Sequence, residues 1–165
     1  MVAGIAVPTL QLATLVILAN SAPVVAHRLM GDLWQQPIDN GIVLRDGQRL
    51  FGRSKTWRGL VAAGLTCALF APLLGWSWQL GLAVGALAMT GDLLASLIKR
   101  RHGLSAGQRA PRLDSIPEAL LPALVLRGPL QLTWFDVLLV VMIFVFTVRL
   151  ASPLIYRLRL RARPW

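Results

Sequence analysis

Residues 59–91, GLVAAGLTCALFAPLLGWSWQLGLAVGALAMTG, carry no charged side chain over 33 positions. As one helix the stretch would reach about 50 Å, far beyond the roughly 30 Å hydrocarbon core of a bilayer. Pro72, Gly75, Trp76 and Trp78 interrupt it near its middle, so it reads as two membrane-crossing helices, roughly 57–75 and 78–101. Their connection places the indoles of Trp76 and Trp78 at headgroup level, where such rings are enriched. An uncharged turn suits the non-cytoplasmic side.

Working outward from this hairpin, residues 1–26 are also free of charge, enough for a first span of about 39 Å. Nothing basic precedes that run and basic residues follow it, so it is expected to be a span and not a cleaved leader. Residues 116–130, with Pro117, Glu118, Pro122 and Arg127, form a shorter and weaker segment. Residues 132–156 form a last apolar helix, with Asp136 near one end, Arg149 towards the other and Trp134 as an anchor. The expectation is an all-α integral membrane protein of about five transmembrane helices, with residues 1–165 making a single domain.

The composition agrees. The chain has 165 residues, 56% of them hydrophobic and 15% charged, with a mean hydropathy of +0.63, values that exclude an ordinary soluble domain. Seventeen Lys and Arg against seven Asp and Glu give a net charge of +10. A nucleic-acid binder would spread such an excess over a soluble fold, whereas here it falls between the apolar runs. Arg28, Arg45, Arg49, Arg53, Lys55 and Arg58 surround the first loop. Lys99, Arg100, Arg101, Arg109 and Arg112 occupy the second long one, and Arg157, Arg159, Arg161 and Arg163 fill the tail. With five spans all of these share one side, so the positive-inside rule predicts an N-terminus outside and a C-terminus in the cytoplasm. The single cysteine, Cys67, excludes an internal disulfide. His27 and His102 lack zinc-site spacing and read as interfacial residues beside arginine.

Positive-inside bias does not account for the carboxylates. Asp32, Asp39, Asp46, Asp92 and Asp114 fall in or beside the same two cytoplasmic loops, and Asp92 directly follows an apolar run. An ionisable group there is costly unless paired, hydrated or bound to a cation. On a helix, Ser96 lies about 40° from Asp92 and Lys99 about 20° to its other side, so carboxylate, hydroxyl and ammonium share a stripe. The alternative is a plain ion pair with arginines reaching for the interface. Asp114 follows a loop delivering Arg109 and Arg112, and a second carboxylate at similar depth suits magnesium, a hard cation that takes oxygen ligands from protein, water and phosphate. It also suits a helix N-cap. The run from Arg49 to Gly59, RLFGRSKTWRG, is neither a Walker loop nor a dinucleotide fingerprint. It brings cations and hydroxyls to a helix N-terminus, a favourable place for phosphate. Trp57 there reads as an interfacial anchor or a base-stacking ring.

The combination resembles the CDP-archaeol synthase family, related to CDP-diacylglycerol synthases. The resemblance runs through Asn20-Ser21-Ala22-Pro23, Pro37-Ile38-Asp39, Arg49-Leu50-Phe51-Gly52, Lys55-Thr56-Trp57-Arg58-Gly59, Gly91-Asp92, Ser96, Ile98-Lys99-Arg100-Arg101 and Pro111-Arg112-Leu113-Asp114. It implies a membrane enzyme that transfers CMP from CTP to a lipid phosphate, an archaeal-type 2,3-di-O-geranylgeranylglyceryl phosphate or a phosphatidic-acid-like lipid. Mg²⁺ would be held by Asp92 and Asp114, with Lys99 joining them in catalysis. Lys55, Arg58, Arg100 and Arg101 would bind phosphate, and Asn20, Asp39, Arg49 and Ser96 would complete the substrate site. Ser115 and Leu97 depart from the Gln and Phe common in the family. The resemblance places the protein in the cytoplasmic membrane, and a homodimer is left open.

Two rivals have distinct signatures. A CDP-alcohol phosphatidyltransferase would carry an aspartate-rich motif that is absent from this sequence. A transporter or assembly protein with an anionic-lipid-binding face would be expected to place ionisable groups near the bilayer midplane.

Overall fold

The computed structural model describes residues 7–103 and 111–157, and for 111–114 and 151–157 the backbone alone. Among these residues five α-helices succeed one another: α1 Val7–Met30, α2 Trp57–Phe70, α3 Trp78–Arg101, α4 Pro111–Val125 and α5 Trp134–Arg157, with a 3₁₀ turn at Pro72–Leu74. Three segments among the described residues are long and apolar enough to cross a membrane, namely Val7–Met30, Trp57–Leu74 and Trp78–Arg101. The two helices expected from 59–91 therefore form where the proline, glycine and tryptophans separate them. Gly75 takes the left-handed conformation that reverses the chain, with φ of 81°, and Ser77 caps α3 by accepting from the Leu80 N–H at 3.3 Å.

The order of packing follows the chain. α2 lies between α1 and α3, α4 packs on the other side of α3, and α5 returns against α4 and α1. α1 contributes apolar side chains to the interior: Leu12, Leu15, Val16 and Ala19 are all fully buried. Lipid-facing surface remains apolar, with Leu69, Leu73, Phe135, Met142 and Phe146 exposed, as expected of side chains whose solvent is hydrocarbon.

Small residues set the helix spacing. A Cβ added at Gly81 would lie 2.3 Å from the Cys67 carbonyl oxygen, and one at Gly85 would lie 2.8 Å from that of Ala63. These glycines, four residues apart, let α2 and α3 approach backbone to backbone, which is how helices associate where no hydrophobic effect drives them together. Gly91 does the same between α3 and α4, where a Cβ would sit 2.2 Å from the Pro117 carbonyl oxygen.

α4 differs from the sequence expectation. It begins at Pro111, not near 116, since proline at a first helical position is pre-organised and has no N–H to leave unsatisfied. Asp114 is thus the fourth residue of the helix and not its N-cap. With 15 residues α4 is about 22 Å long, shorter than a hydrocarbon core. At the opposite end of the bundle, Thr133 and Asp136 form a reciprocal cap on α5. The Thr133 N–H donates to Asp136 Oδ2 at 2.9 Å and the Asp136 N–H to Thr133 Oγ1 at 3.2 Å. Thr9 Oγ1 donates to Asp136 Oδ1 at 2.8 Å, tying α1 to α5, and the Arg127 guanidinium stacks on Trp134 at 4.0 Å.

Candidate active site

The C-terminal ends of α1, α3 and α5 and the N-terminal ends of α2 and α4 lie at one end of the bundle, together with the α1–α2 loop. The loop between α1 and α2 is folded back on itself. Ile38 donates to the Lys55 carbonyl at 2.8 Å and Trp57 to that of Gln36 at 3.1 Å, while Leu44 and Leu50 pair with Gln48 and Ile42 in a short hairpin. Asp39, only 2% exposed, organises the fold of this loop. Its Oδ1 accepts from the Gly41 N–H at 3.0 Å, and its Oδ2 from those of Phe51 at 3.1 Å and Gly52 at 3.0 Å. Burial pushes the carboxyl up, but these backbone donors and the Arg49 charge outweigh it and hold the group below its ordinary value.

Two of the expected phosphate-binding cations face the protein's own backbone. Arg58, buried inside the first turn of α2, donates through Nη1 to the carbonyls of Gly31 at 2.8 Å and Leu33 at 2.6 Å. Its Nη2 lies 2.8 Å from His27 Nδ1, so His27 does sit beside an arginine. The guanidinium thereby satisfies carbonyls left over where α1 ends. Arg101 pairs with Asp46 and donates to the Arg49 carbonyl at 3.0 Å, fastening the end of α3 to the hairpin. Arg100 is buried on α3, and its guanidinium lies against Gly52, where a Cβ would come within 3.0 Å of Nη2. Gly52, with φ of 101°, is thus required both for its conformation and for this approach. Arg49 keeps its Nη1 buried without a hydrogen-bond partner.

The pair at the centre of this end is Lys55 and Asp92. Lys55 Nζ reaches across from the loop to Asp92 Oδ2 at 2.5 Å, with both side chains about a quarter exposed, at 22% and 23%. Asp92 follows Gly91 at the close α3–α4 crossing, Ser96 lies buried one turn further on, and Lys99 another turn along. The carboxylate is nine residues from the end of α3, about 14 Å inside it. That depth follows from the helix over 78–101 expected from the sequence, which the structure forms as Trp78–Arg101. Asp114 stands one turn ahead of Glu118 in α4. Its side chain, those of Arg112 and Arg157, and Arg109, Arg159, Arg161 and Arg163 lie outside the described residues.

One feature of this end did not stand out in the sequence. Glu118 is buried, and Asn20 Nδ2 donates to both its carboxylate oxygens at 2.9 Å. A Cβ at Gly91 would come 2.8 Å from the Glu118 Cα, so this pair adjoins the Asp92 turn. The four-residue spacing from Asp114 was the available signal. Asn20, a substrate-site candidate from the resemblance, has the Glu118 carboxylate as its partner here.

The donor set suits a hard divalent cation. Asp92, Ser96 and, on α4, Asp114 offer oxygen alone, and a cationic group, the Lys55 ammonium, already lies against the Asp92 carboxylate. Among the described residues no three His, Cys, Asp or Glu side chains cluster, so any such ion would draw further ligands from water and substrate.

Comparison with known proteins agrees with this architecture. A family model described as CarS-like, CDP-archaeol synthase, matches residues 9–76 and 73–165. The CDP-archaeol synthase of Aeropyrum pernix is 39% identical over 125 residues, covering 71% of this chain and 67% of that protein. The one from Pyrococcus abyssi is 36% identical over 159 residues, covering 89% and 90%. A solved structure described as an intramembrane enzyme for archaeal membrane lipids biosynthesis superposes with a TM-score of 0.74 at 29% identity, covering 88% of this chain and 92% of its own. Matched along nearly its whole length in sequence and in fold, this multi-pass membrane chain belongs to the CDP-archaeol synthase family.

Proposed function

We propose that this protein transfers the cytidylyl group of CTP to a lipid phosphate, of the archaeal 2,3-di-O-geranylgeranylglyceryl type or a phosphatidic-acid-like analogue, at the inner face of the cytoplasmic membrane. The Lys55–Asp92 pair carries this reading, set at a bundle end where the buried Arg58 and Arg100 also lie. The N-terminus lies outside and the site faces the cytoplasm, where CTP is available.

The chemistry asks chiefly for positioning. A lipid phosphate is already anionic at neutral pH, so one of its oxygens attacks the α-phosphorus without a general base. The bond from that phosphorus to the bridging oxygen of the β-phosphate breaks, and pyrophosphate leaves. The obstacle is mutual repulsion of two polyanions. Lys55, Lys99 and Arg100 offset it by screening the phosphates. Arg58, Arg101 and Asp39 act one step back, holding the loop that presents Lys55. Asp92 and Asp114, with Ser96 nearby, are the residues that would hold Mg²⁺, which when bound neutralises charge on the nucleotide oxygens.

The test is turnover. Purified protein given radiolabelled CTP, Mg²⁺ and a panel of phosphate lipids is expected to form a CDP-lipid. Asp92→Asn and Asp114→Asn are each expected to lower turnover at least about a thousandfold while the protein stays folded. Undiminished turnover in both variants contradicts the site, and no product with any lipid contradicts the function.

A further inference from the structure

The Lys55–Asp92 contact occupies the carboxylate that the proposed function assigns to a metal, and the following inference rests on that reading. Asp92 lies within a membrane helix, where a carboxylate without a counter-charge is costly. In the structure that counter-charge is an ammonium on a four-carbon stem. The Lys55 backbone is pinned in the loop by its N–H to Gly52 at 3.2 Å and its carbonyl from Ile38 at 2.8 Å, whereas its side chain spans to α3 and remains partly exposed. The neighbouring cations Arg58 and Arg101 are fastened to main-chain carbonyls and to Asp46, whereas the Lys55 ammonium bonds a side-chain carboxylate, that of Asp92.

We propose that Lys55 is a tethered placeholder for the divalent cation: its ammonium neutralises Asp92 in the empty enzyme and moves to the nucleotide phosphates when metal and nucleotide enter together. A metal ion arriving alone must displace the ammonium and leave two cations side by side with no added anion. A metal ion arriving with CTP brings the phosphates that give Lys55 a new partner. Metal and nucleotide therefore bind with positive coupling, and by linkage each strengthens the other equally. Empty, the site stays charge-balanced and resists stray divalent ions.

Mn²⁺ binding without nucleotide, read by electron paramagnetic resonance on detergent-purified protein, tests this without any turnover. The site is defined as the binding lost in Asp92→Asn. Lys55→Gln, and the unbranched neutral Lys55→Met as a second variant should the first misfold, are expected to bind Mn²⁺ about three- to fivefold more tightly than wild type, the size expected from removing a partly exposed competitor. Lys55→Arg keeps the charge and is expected to resemble wild type. Equal or weaker Mn²⁺ binding in the neutral variants overturns the placeholder role while leaving the proposed function standing. If Asp92→Asn binds Mn²⁺ and CTP together as tightly as wild type, the metal assignment falls and the placeholder with it.

Discussion

Arg58 and Asp39 show how the same residue chemistry serves two ends. A guanidinium binds phosphate or main-chain carbonyls with the same donors, so no reading of residue types could tell that Arg58 would turn to Gly31 and Leu33. Arg58→Ala is accordingly expected to lower stability by about 2–3 kcal/mol, read from the thermal midpoint, through carbonyls left unsatisfied where α1 ends. For Asp39, a folded-state pKa below the ordinary 3.8 means its contribution is complete above that value and fades as pH falls through the lower one. Amide protection of Phe51 and Gly52 should be level from about pH 7 to 5, once intrinsic exchange is corrected, and decline below about pH 4. Asp39→Ala should lose that protection at every pH. Protection unchanged in the variant would contradict the organising role given to this carboxylate.

At the scale of elements, the hairpin of α2 and α3 was legible because its evidence is local: an uncharged run too long for one crossing, broken by Pro72 and Gly75. The start of α4 was not, because Arg112 and Asp114 look like loop residues until Pro111 is seen to open a helix. The Asn20–Glu118 pair was illegible for a different reason, since it joins positions 98 residues apart that meet only once α1 and α4 are packed. Gly91 ties these levels together, as its missing side chain lets the α4 backbone come down beside Asp92. Gly91→Ala is expected to push the helices apart, costing about 1–3 kcal/mol and lowering CDP-lipid formation more than tenfold by displacing α4 from Asp92. A variant with full activity would show that the α3–α4 spacing does not set the site.

For the whole molecule, the distribution of charge predicts the orientation. The hairpin loop at 42–50 and the tight turn at Gly75–Ser77 lie at opposite ends of the bundle, and the buried Cys67 leaves little background for thiol labelling. In intact cells a membrane-impermeant maleimide is expected to label Ser77→Cys and to spare Asp46→Cys until the membrane is opened. The reverse pattern would invert the topology and put the site on the side without CTP.

On the proposed reading Asp92 and Asp114, from helices that cross at Gly91, share one divalent cation with the phosphates of CTP. A crystal structure with Mn²⁺ and CTP, phased to show the metal by its anomalous signal, decides this. One peak is expected within about 2.2 Å of a carboxylate oxygen from each aspartate, with Lys55 withdrawn from Asp92 to a phosphate. A nucleotide-bound metal that touches neither carboxylate, or aspartates directed to opposite faces of the membrane, would contradict it.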